Sequence, residues 1–330
     1  MTGYPWLVAD VGGTNARFAL VEGPGRPPAR IRALPTRDHA GLAEAAAAYL
    51  AGLDARPAAG CLAIAGPVAD GRIRLTNAGW VPDSVDRIRA HLDLPDLEVV
   101  NDFAALALSL PHLDPRRDLR PIGAASPPAA DGTAPLAVLG PGTGMGVAAL
   151  VPVPGAATRW IPLPGEGGHV DVPAATDLEI ELMRLLRAEL GVGNAEYLLS
   201  GDGLTRIHRL LALIHGIKTA PLTPAQITQA DDALRAEAVE VFCGLLGSFA
   251  GNVALTLGAR GGVYLGGGIL PRIADTLEAS GFRRRFEGKP PVEDFLRAIP
   301  TALIVHPHPA LVGAAAHLAR SRDTSFLEPV

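Results

Sequence analysis

Lysine is almost absent from this chain of 330 residues, which contains only Lys218 and Lys289. Neither lysine stands in the pattern Gly-x-x-x-x-Gly-Lys-Ser/Thr, so a Walker-type nucleotide site is excluded. Both lie in segments flanked by proline or glycine, which argues against a buried lysine that forms a Schiff base. Any phosphate binding must therefore rely on groups other than a P-loop lysine.

Cysteine and aromatic residues are also scarce. Cys61 and Cys243 are far apart, and each lies within an apolar run. We expect both to be reduced core residues, and two cysteines so placed cannot build a structural zinc site. Aromatic residues make up 5% of the chain, so aliphatic side chains must fill the core that a hydrophobic content of 48% predicts.

Positive charge does not dominate, because the net charge is −5 and no basic stripe is present. Nucleic acid is therefore not an expected partner, and the three arginines at residues 283–285 are predicted to form a solvated helix end or loop. No apolar run reaches membrane-spanning length without glycine or charge, and residues 1–6 lack the features of a signal peptide. We expect a cytoplasmic protein without membrane contact.

Two short glycine–threonine turns are the most informative features that are present. The first reads Asp-Val-Gly-Gly-Thr-Asn at residues 10–15, and the second reads Gly-Pro-Gly-Thr-Gly at residues 140–144. Apolar runs flank each turn, so each predicts a strand, a tight turn and a strand. Glycine permits positive φ and close approach of a ligand, and the exposed N–H groups with the threonine hydroxyl suit phosphate oxygens.

Either turn alone is more often an ordinary hairpin. Their occurrence together, with Asp10 in the first, favours a nucleotide-dependent phosphotransferase built from two related halves that bind one polyphosphate. The first third of the chain alternates strand and helix patterns, and residues 111–135 are rich in Pro, Asp and Arg. That stretch is interpreted as a linker or a surface excursion. It marks the boundary between a small α/β domain, residues 1–112 with 303–330, and a large α+β domain, residues 113–302.

The large domain is predicted to be mainly helical. Residues 176–191 have the pattern of a helix that begins with a capping box, in which Thr176 is the N-cap and Glu179 completes the box. Residues 194–200 are predicted to be helical, and residues 231–257 form a long apolar helix pattern that suits either a core or an interface.

Asn101 and Asp102 follow a predicted strand and open a predicted helix. Aspartate at such a position is most often an N-cap, and that interpretation remains open. The carboxyl ends of strands are also where open α/β sheets bind ligands. A carboxylate there can accept the proton of a substrate hydroxyl that attacks phosphorus.

Three further acidic or imidazole side chains and a glycine run are candidates of lower specificity. Glu166 and His169 share a glycine-rich loop, where they either converge on a polyhydroxylated ligand or form an ordinary charged surface. Glu196 taken alone is by default a glutamate on a helix surface. Gly266 and Gly267 precede a predicted helix, and they either let adenine or ribose lie against the backbone or permit close packing of strand and helix.

Together these motifs resemble bacterial glucokinase of the non-ROK type, in the hexokinase/actin/Hsp70-like superfamily. The resemblance extends from Trp6 to about His317, and the cysteine-rich zinc motif of ROK relatives is absent. The most specific match is Glu-Gly-Gly-His at residues 166–169 joined to Asn-Asp at 101–102. The matching segments are residues 8–18, 100–103, 140–146, 163–171, 195–201, 261–269 and 299–306.

The resemblance implies an α/β protein with the two-domain actin-like ATPase fold, a duplicated ribonuclease H-like unit with a central cleft. It implies an ATP-dependent glucokinase that makes glucose 6-phosphate and ADP, and a homodimer. By position, Asp102 resembles the general base for the 6-hydroxyl, and Asp10 the acid that holds Mg²⁺ through water. The implied glucose-binding residues are Asn101, Asp102, Glu166, His169 and Glu196. The implied ATP-binding residues are Asp10, Gly12, Gly13, Thr14, Asn15, Gly142, Thr143, Gly144, Gly266 and Gly267.

This chain departs from the family pattern in two places. Pro141 stands where a small residue is more usual, which can alter the pose of the second phosphate loop, and the insert around residues 126–133 is long. Three other functions stay open: a kinase for another hexose or with polyphosphate as donor, a sugar-binding regulator, and an assembly role like that of actin or Hsp70. The intact Asp102 favours catalysis. We also expect no helix-turn-helix of a regulator, because the first hairpin begins within ten residues of Met1.

Overall fold

The computed structural model describes residues 3–75, 79–123, 130–154 and 156–322. Residues 126–129 of the predicted insert and residues 323–330 of the predicted small domain lie outside the described residues. Contacts divide the chain into two compact units. Unit 1 comprises Met1–Leu113 with Pro307–Val330, and unit 2 comprises Asp114–His306.

The first part of unit 1 alternates strands and helices, as the sequence predicts. In chain order its elements are β1 (Trp6–Val11), β2 (Asn15–Val21), β3 (Ala29–Pro35), α1 (Leu42–Ala51), β4 (Ala59–Ile64), β5 (Val68–Ala69), β6 (Arg72–Ile73), β7 (Asp83–Ser84), α2 (Val85–Leu92), β8 (Leu97–Asn101) and α3 (Asp102–Ser109).

Unit 2 combines a sheet with a helical half. In chain order its elements are β9 (Leu119–Pro121), β10 (Leu136–Pro141), β11 (Met145–Val153), β12 (Ala156–Gly165), α4 (Asp177–Leu190), α5 (Gly201–Ile214), α6 (Pro224–Ile227), α7 (Ala233–Leu257), β13 (Gly262–Leu265), α8 (Ala274–Ala279), α9 (Phe282–Glu287), α10 (Glu293–Arg297) and β14 (Thr301–Ile304). The chain then returns to unit 1 with α11 (Pro309–Ser321).

The main sheets of the two units share one order of strands. In unit 1 the order is β3-β2-β1-β4-β8, and in unit 2 it is β12-β11-β10-β13-β14-β9. In each sheet an antiparallel hairpin leads, and two parallel strands follow its first strand. The unit 2 sheet then adds β9 antiparallel to β14. The predicted repetition of a hairpin-led α/β half is therefore visible in the sheet order.

Both faces of the unit 1 sheet are covered by apolar packing. Strand β4 is buried along its whole length, as its continuous apolar run predicts. On one face, Trp6 and Val8 of β1 pack with Leu311 of α11. Helix α11 also packs closely on α3, where a Cβ at Gly313 would lie 2.5 Å from the carbonyl carbon of Ala105. The helix that begins with Asp102 is thus held close to α11 by a glycine contact.

The long apolar helix α7 belongs to the core of unit 2. Among the described helices it has the length and composition to cross a membrane, but most of its apolar window is buried inside the protein. Phe242, Leu246 and Phe249 are buried in the same cluster as Leu139 of β10 and Leu265 of β13. The sequence leaves a core role and an interface role open for this helix, and in the structure it packs in the core. Cys61 and Cys243 are buried and unpaired by disulfide, as expected.

Two secondary-structure predictions were wrong. The predicted linker at 111–135 contains β9, which pairs with β14 from the other end of unit 2, a contact that composition does not encode. Residues 194–200 form a single turn instead of a helix. There the N–H groups of Ala195 and Glu196 donate to the carbonyl groups of Val170 and Gly168, at 2.8 Å each, so the segment pairs with its neighbour.

The predicted capping box of α4 is only half formed. The Thr176 hydroxyl accepts from the Glu179 N–H at 3.2 Å, but the Glu179 carboxylate accepts from the Ala175 N–H at 2.7 Å. That carboxylate is also bound by Arg285 at 2.7 Å, and Arg283 pairs with Glu287 at 2.6 Å. The prediction that residues 283–285 are solvated was therefore wrong for Arg283 and Arg285, because buried or half-buried carboxylates satisfy their charge.

Candidate active site

The first glycine turn lies between β1 and β2, and its backbone is held from outside the hairpin. Within the turn, the Gly12 N–H donates to the Asn15 carbonyl at 3.0 Å. Thr36, which is 2% exposed, donates its N–H to the Thr14 carbonyl at 3.0 Å and its hydroxyl to the Gly13 carbonyl at 2.7 Å. Because the C=O and N–H of one trans peptide point in opposite directions, the Thr14 N–H points away from Thr36.

Thr36 is in turn held by an indole. The Nε1–H of Trp80 donates to the Thr36 carbonyl at 3.2 Å and to the His39 carbonyl at 2.9 Å. Neither Thr36 nor Trp80 was identified from the sequence, since both act on the turn through contacts distant along the chain. The register of β2 with β3, which pairs Asn15 with Pro35, brings Thr36 to the turn.

Asp10 lies opposite Arg17 in the β1–β2 hairpin. Its Oδ2 is 3.5 Å from Nη1 of Arg17, and the Asp10 side chain is 26% exposed. Desolvation by burial raises the pKa of Asp10, while the nearby positive charges of Arg17 and His308 oppose that rise. The carboxyl group therefore lies in a partly desolvated position next to the first turn.

The unit 1 sheet brings the first turn and the Asn101–Asp102 pair to the same edge. Strands β1, β4 and β8 are parallel, and their registers align Val11 with Ile64 and Ile64 with Asn101. Neighbouring strands lie about 4.8 Å apart, so Val11 and Asn101 are separated by roughly 10 Å. The predicted location of Asn101 at the carboxyl end of a strand is confirmed.

Asn101, rather than Asp102, is the N-cap of α3. Its Oδ1 accepts from the N–H groups of Phe103 at 2.9 Å and Ala104 at 3.2 Å, and its Nδ2 is 3.4 Å from the Gly66 carbonyl. Asp102 is the first helical residue, and its Oδ1 accepts from the Phe103 N–H at 2.9 Å. The N-cap role that the sequence left open for Asp102 therefore belongs to Asn101. The first turn of a helix remains a favourable position for a negative side chain.

The second glycine turn, between β10 and β11, is supported by a carboxylate and by a helix start. The Gly142 N–H donates to the Gly144 carbonyl at 2.8 Å, which closes the turn. Oε2 of Glu196 accepts from the Met145 N–H at 3.0 Å. The N–H of Gly201, the first residue of α5, donates to the Gly142 carbonyl at 2.9 Å.

Glu166, His169 and Glu196 are brought together beside this second turn. Residues Gly167–His169 form a short 3₁₀ turn directly after β12, and the His169 N–H donates to the Glu166 carbonyl at 3.0 Å. Glu166 and His169 have side chains that are 79% and 58% exposed, and their nearest charged atoms are 3.9 Å apart. Both are thus open to a ligand, and Glu196 adjoins their segment through its backbone bond to Gly168.

Gly266 and Gly267 pack against the strand that leads into the second turn. The Gly266 N–H donates to the Leu139 carbonyl at 2.8 Å. Gly267 has φ +88°, and a Cβ there would lie 2.9 Å from the carbonyl carbon of Pro141. The close packing that the sequence left open is therefore present, and the adenosine role of these glycines stays a prediction.

In the described ranges, no group of three or more His, Cys, Asp or Glu side chains is arranged to hold a metal ion. Mg²⁺ does not need such a group, because it commonly uses one or two carboxylates together with water and substrate phosphates. The partly desolvated carboxylate of Asp10, next to the first glycine turn, fits that mode of binding.

Comparison with known proteins finds relatives that match almost the whole chain. The family model described as Glucokinase matches residues 7–321. A glucokinase of Nitrobacter hamburgensis is 45% identical over 315 residues, which is 94% of this chain and 95% of the relative. The crystal structure of a glucokinase from an Antarctic psychrotroph has a TM-score of 0.83 at 37% identity, covering 96% of this chain and 99% of that one.

A more distant structure shares the fold. A ROK family glucokinase from Streptomyces griseus, in complex with glucose and AMPPNP, has a TM-score of 0.65 at 20% identity. The match covers 96% of this chain and 100% of that chain. The α/β fold with mixed sheets thus matches the fold of glucokinase structures, including that of a ROK family member.

Proposed function

The chain belongs to the glucokinase family, and we propose that it transfers the γ-phosphoryl group of ATP to the 6-hydroxyl of glucose, giving glucose 6-phosphate and ADP. The observation that carries this proposal is the placement of Asp102 at the start of α3, on the same sheet edge as the first glycine turn. A candidate base and a candidate phosphate-binding turn thus adjoin in one unit.

Asp102 acts as the general base. Its carboxylate accepts the proton of the 6-hydroxyl while that oxygen attacks the γ-phosphorus in line. The bond from the γ-phosphorus to the bridging oxygen breaks, and its electron pair remains on the β-phosphate of ADP. Little other covalent work falls to the protein, because phosphoryl transfer depends mainly on positioning and on stabilisation of charge.

The remaining sugar hydroxyls bind to polar side chains. Glu166, His169 and Glu196 supply carboxylate and imidazole groups. Asn101 supplies its Nδ2, since its Oδ1 is engaged by the start of α3. A site built to hydrogen-bond hydroxyl groups rejects analogues that lack them better than it rejects analogues that can form other hydrogen bonds, so mannose or glucosamine is expected to be used, but poorly.

The two glycine turns, residues 12–15 and residues 142–144, bind the phosphates of ATP. Gly266 and Gly267 form the wall against adenosine. Asp10 holds Mg²⁺ through water, and the ion supplies positive charge against the charge that develops on the transferred group. Binding of the phosphates by backbone N–H groups explains how the chain manages without a Walker lysine.

We also propose the finer fold class, an actin-like ATPase with a duplicated ribonuclease H-like unit. The shared strand order of the two sheets supports it. The domains then correspond to the two units, with the second boundary after His306, because a division at 303 would split β14. The proposal includes a cytoplasmic homodimer, and the exposed Ile161 and Leu163 on edge strand β12 are candidate contacts between copies.

The test is a coupled assay with Mg²⁺, a panel of hexoses, and ATP, ADP or polyphosphate as donor. We expect formation of ADP that depends on glucose and exceeds that with every other sugar. Preference for another hexose would reassign the pocket around Glu166 and His169, and preference for polyphosphate would reassign the donor. Binding of glucose without turnover would contradict the proposal and favour the sugar-binding regulator.

A further inference from the structure

Glu196 forms hydrogen bonds both to the predicted sugar loop and to the residue that follows the second glycine turn. Its backbone N–H donates to the Gly168 carbonyl at 2.8 Å, so its main chain is part of the segment that contains Glu166 and His169. Its side chain reaches in the other direction, where Oε2 accepts from the Met145 N–H at 3.0 Å. One residue thus connects a loop assigned to sugar with a turn assigned to phosphate.

The packing around this connection leaves little free space. A Cβ at Gly144 would lie 3.2 Å from Cδ of Glu196 and would overlap its Oε2. A Cβ at Gly168 would lie 3.1 Å from Cβ of Met145 and would overlap the Met145 carbonyl. Displacement of the carboxylate, of the loop or of the turn therefore forces the other two to move.

The carboxylate of Glu196 has capacity for a second partner. An ionised carboxylate has two oxygens and about four acceptor positions, and Met145 uses one of them. A sugar hydroxyl can therefore donate to the same carboxylate without displacing the Met145 N–H. Simultaneous occupation would fix one side-chain conformation, which is the conformation that holds the turn.

We propose that Glu196 is a positioning residue that couples the sugar to the nucleotide: a bound sugar hydroxyl orders its carboxylate, and the carboxylate orders the second glycine turn for phosphate. This inference rests on the proposed function, since it takes glucose and ATP as the ligands. Coupling of this kind is reciprocal, so each ligand must tighten the binding of the other by the same factor.

The experiment measures the affinity of AMPPNP by calorimetry, with Mg²⁺, in the absence and in the presence of saturating glucose. The ratio of the two affinities is the coupling factor, and in the unmodified protein we expect at least about 5-fold, within the usual range for linked sites. AMPPNP prevents turnover, so both ligands can be present at equilibrium. The reverse titration, glucose with and without AMPPNP, must give the same factor.

Two variants of Glu196 separate the effect of side-chain length from the effect of charge, and a third variant is the control. Glu196→Asp keeps the charge but is one methylene shorter, so its carboxylate no longer reaches Met145, and we expect a coupling factor near 1. Glu196→Gln keeps the length and an acceptor oxygen for Met145, so most of the coupling should remain. The matched control is Glu166→Gln, in the same loop, which should weaken glucose binding and keep the coupling factor at saturation.

Gly144→Ala tests the same connection when Glu196 itself is intact. The added methyl group displaces the Glu196 carboxylate from the turn, so the coupling factor should again fall toward 1. This variant decides the matter if Glu196→Asp binds glucose too weakly to be saturated. Circular dichroism and thermal unfolding verify that each variant is folded.

Three results would overturn the inference: a coupling factor of 1 in the unmodified protein, an unchanged factor in Glu196→Asp or Gly144→Ala, or a loss in Glu196→Gln as complete as in Glu196→Asp. Failure of the proposed function has a different signature, because the unmodified protein would then not consume ATP in a reaction that depends on glucose, whether or not it binds glucose. If the inference alone fails, the protein phosphorylates glucose normally and the coupling factor does not depend on Glu196.

Discussion

The first glycine turn is supported by an uncharged side chain, whereas the second is supported by a carboxylate and by the backbone of other glycines. Thr36 donates two hydrogen bonds to carbonyl groups of the first turn. Glu196 accepts one hydrogen bond from the N–H that follows the second turn, and Gly267 lies against Pro141 at its entrance. The hairpins themselves are alike.

This difference has a consequence for how each turn is ordered. A support that donates to carbonyls leaves N–H groups of the turn for an anion, and it adds no negative charge. The carboxylate support of the second turn occupies an N–H and keeps acceptor positions for another ligand, and that ligand can fix the conformation of the side chain. The first turn is therefore suited to permanent order, and the second to order that depends on a ligand.

The largest expected effect is a loss of turnover without a loss of glucose binding. Asp102→Asn should lower kcat by roughly 10² or more, because the general base is lost, while glucose affinity measured by calorimetry stays close to normal. Glu166→Gln should instead act mainly on the KM for glucose. Near-normal turnover in Asp102→Asn would remove Asp102 from the mechanism, and with it the assignment of the chemistry to unit 1.

A second prediction concerns the backbone support of the second turn. Gly267→Ala places an L-residue at φ +88° and drives its Cβ into the Pro141 backbone. The conformational cost alone is about 1–3 kcal/mol, and each kcal/mol lowers the Tm of a unit of this size by about 2–4 °C. We expect a lower Tm and a higher KM for ATP, with the KM for glucose less affected.

The neighbouring glycine provides the matched control for that variant. A Cβ at Gly268 meets no atom within 4 Å, and its φ is not in the left-handed region. Gly268→Ala should therefore change the Tm by no more than the ordinary scatter of surface substitutions, about 0.5 kcal/mol. Equal effects at the two positions would show that packing on Pro141 is not what supports the second turn.

Features encoded by neighbouring residues were predictable from the sequence. Both hairpins, the strand that ends at Asn101 and the N-cap of α4 at Thr176 follow from local patterns of apolar, glycine and capping residues. The family was identified from short motifs for the same reason, since Glu166 and His169 stand three residues apart.

The supports of the turns were not predictable, because they join residues distant along the chain. Thr36 is 23 residues from Gly13, and Glu196 is 51 residues from Met145. Threonine and glutamate at such positions look like ordinary surface residues until the sheet register and the 168–171 segment bring them to the turns. Strand β9 was missed on the same grounds, since its partner is β14, at the other end of unit 2.

A third prediction tests the support of the first turn. Thr36→Val removes the hydroxyl and leaves the Gly13 carbonyl without its donor, which costs about 1–3 kcal/mol at a buried site. We expect a higher KM for ATP that does not depend on the glucose concentration, in contrast to Glu196→Asp. Thr36→Ser keeps the donor and should have most of the affinity of the unmodified protein. A KM as poor as that of Thr36→Val would show that the hydroxyl donor alone does not account for the support of the turn.

The smallest effect concerns the acid stability of unit 1, where Glu98 on β8 lies three residues before Asn101. Glu98 is bonded to His317 at 2.6 Å and to Ser321 at 2.8 Å, both on α11. The hydrogen bond from His317, more than any other cause, lowers the pKa of Glu98 from its ordinary 4.5 to about 2. The charged form is favoured in the folded state, so this stabilisation is complete above pH 4.5 and is lost as the pH falls toward 2.

Glu98→Gln should therefore lower the Tm at pH 7 and have progressively less effect as the pH is reduced from 5 to 3. The effect is small because the Glu98 side chain is one third exposed and solvent screens its interactions. Glu22→Gln, which removes an exposed carboxylate paired with Arg30 in the same unit, is the control and should leave the slope of Tm against pH unchanged. The contrary result is a Tm of Glu98→Gln that differs from that of the unmodified protein by the same amount at pH 7 and at pH 3. That result would show that the side chain acts by packing and that α11 does not depend on this charge to hold β8.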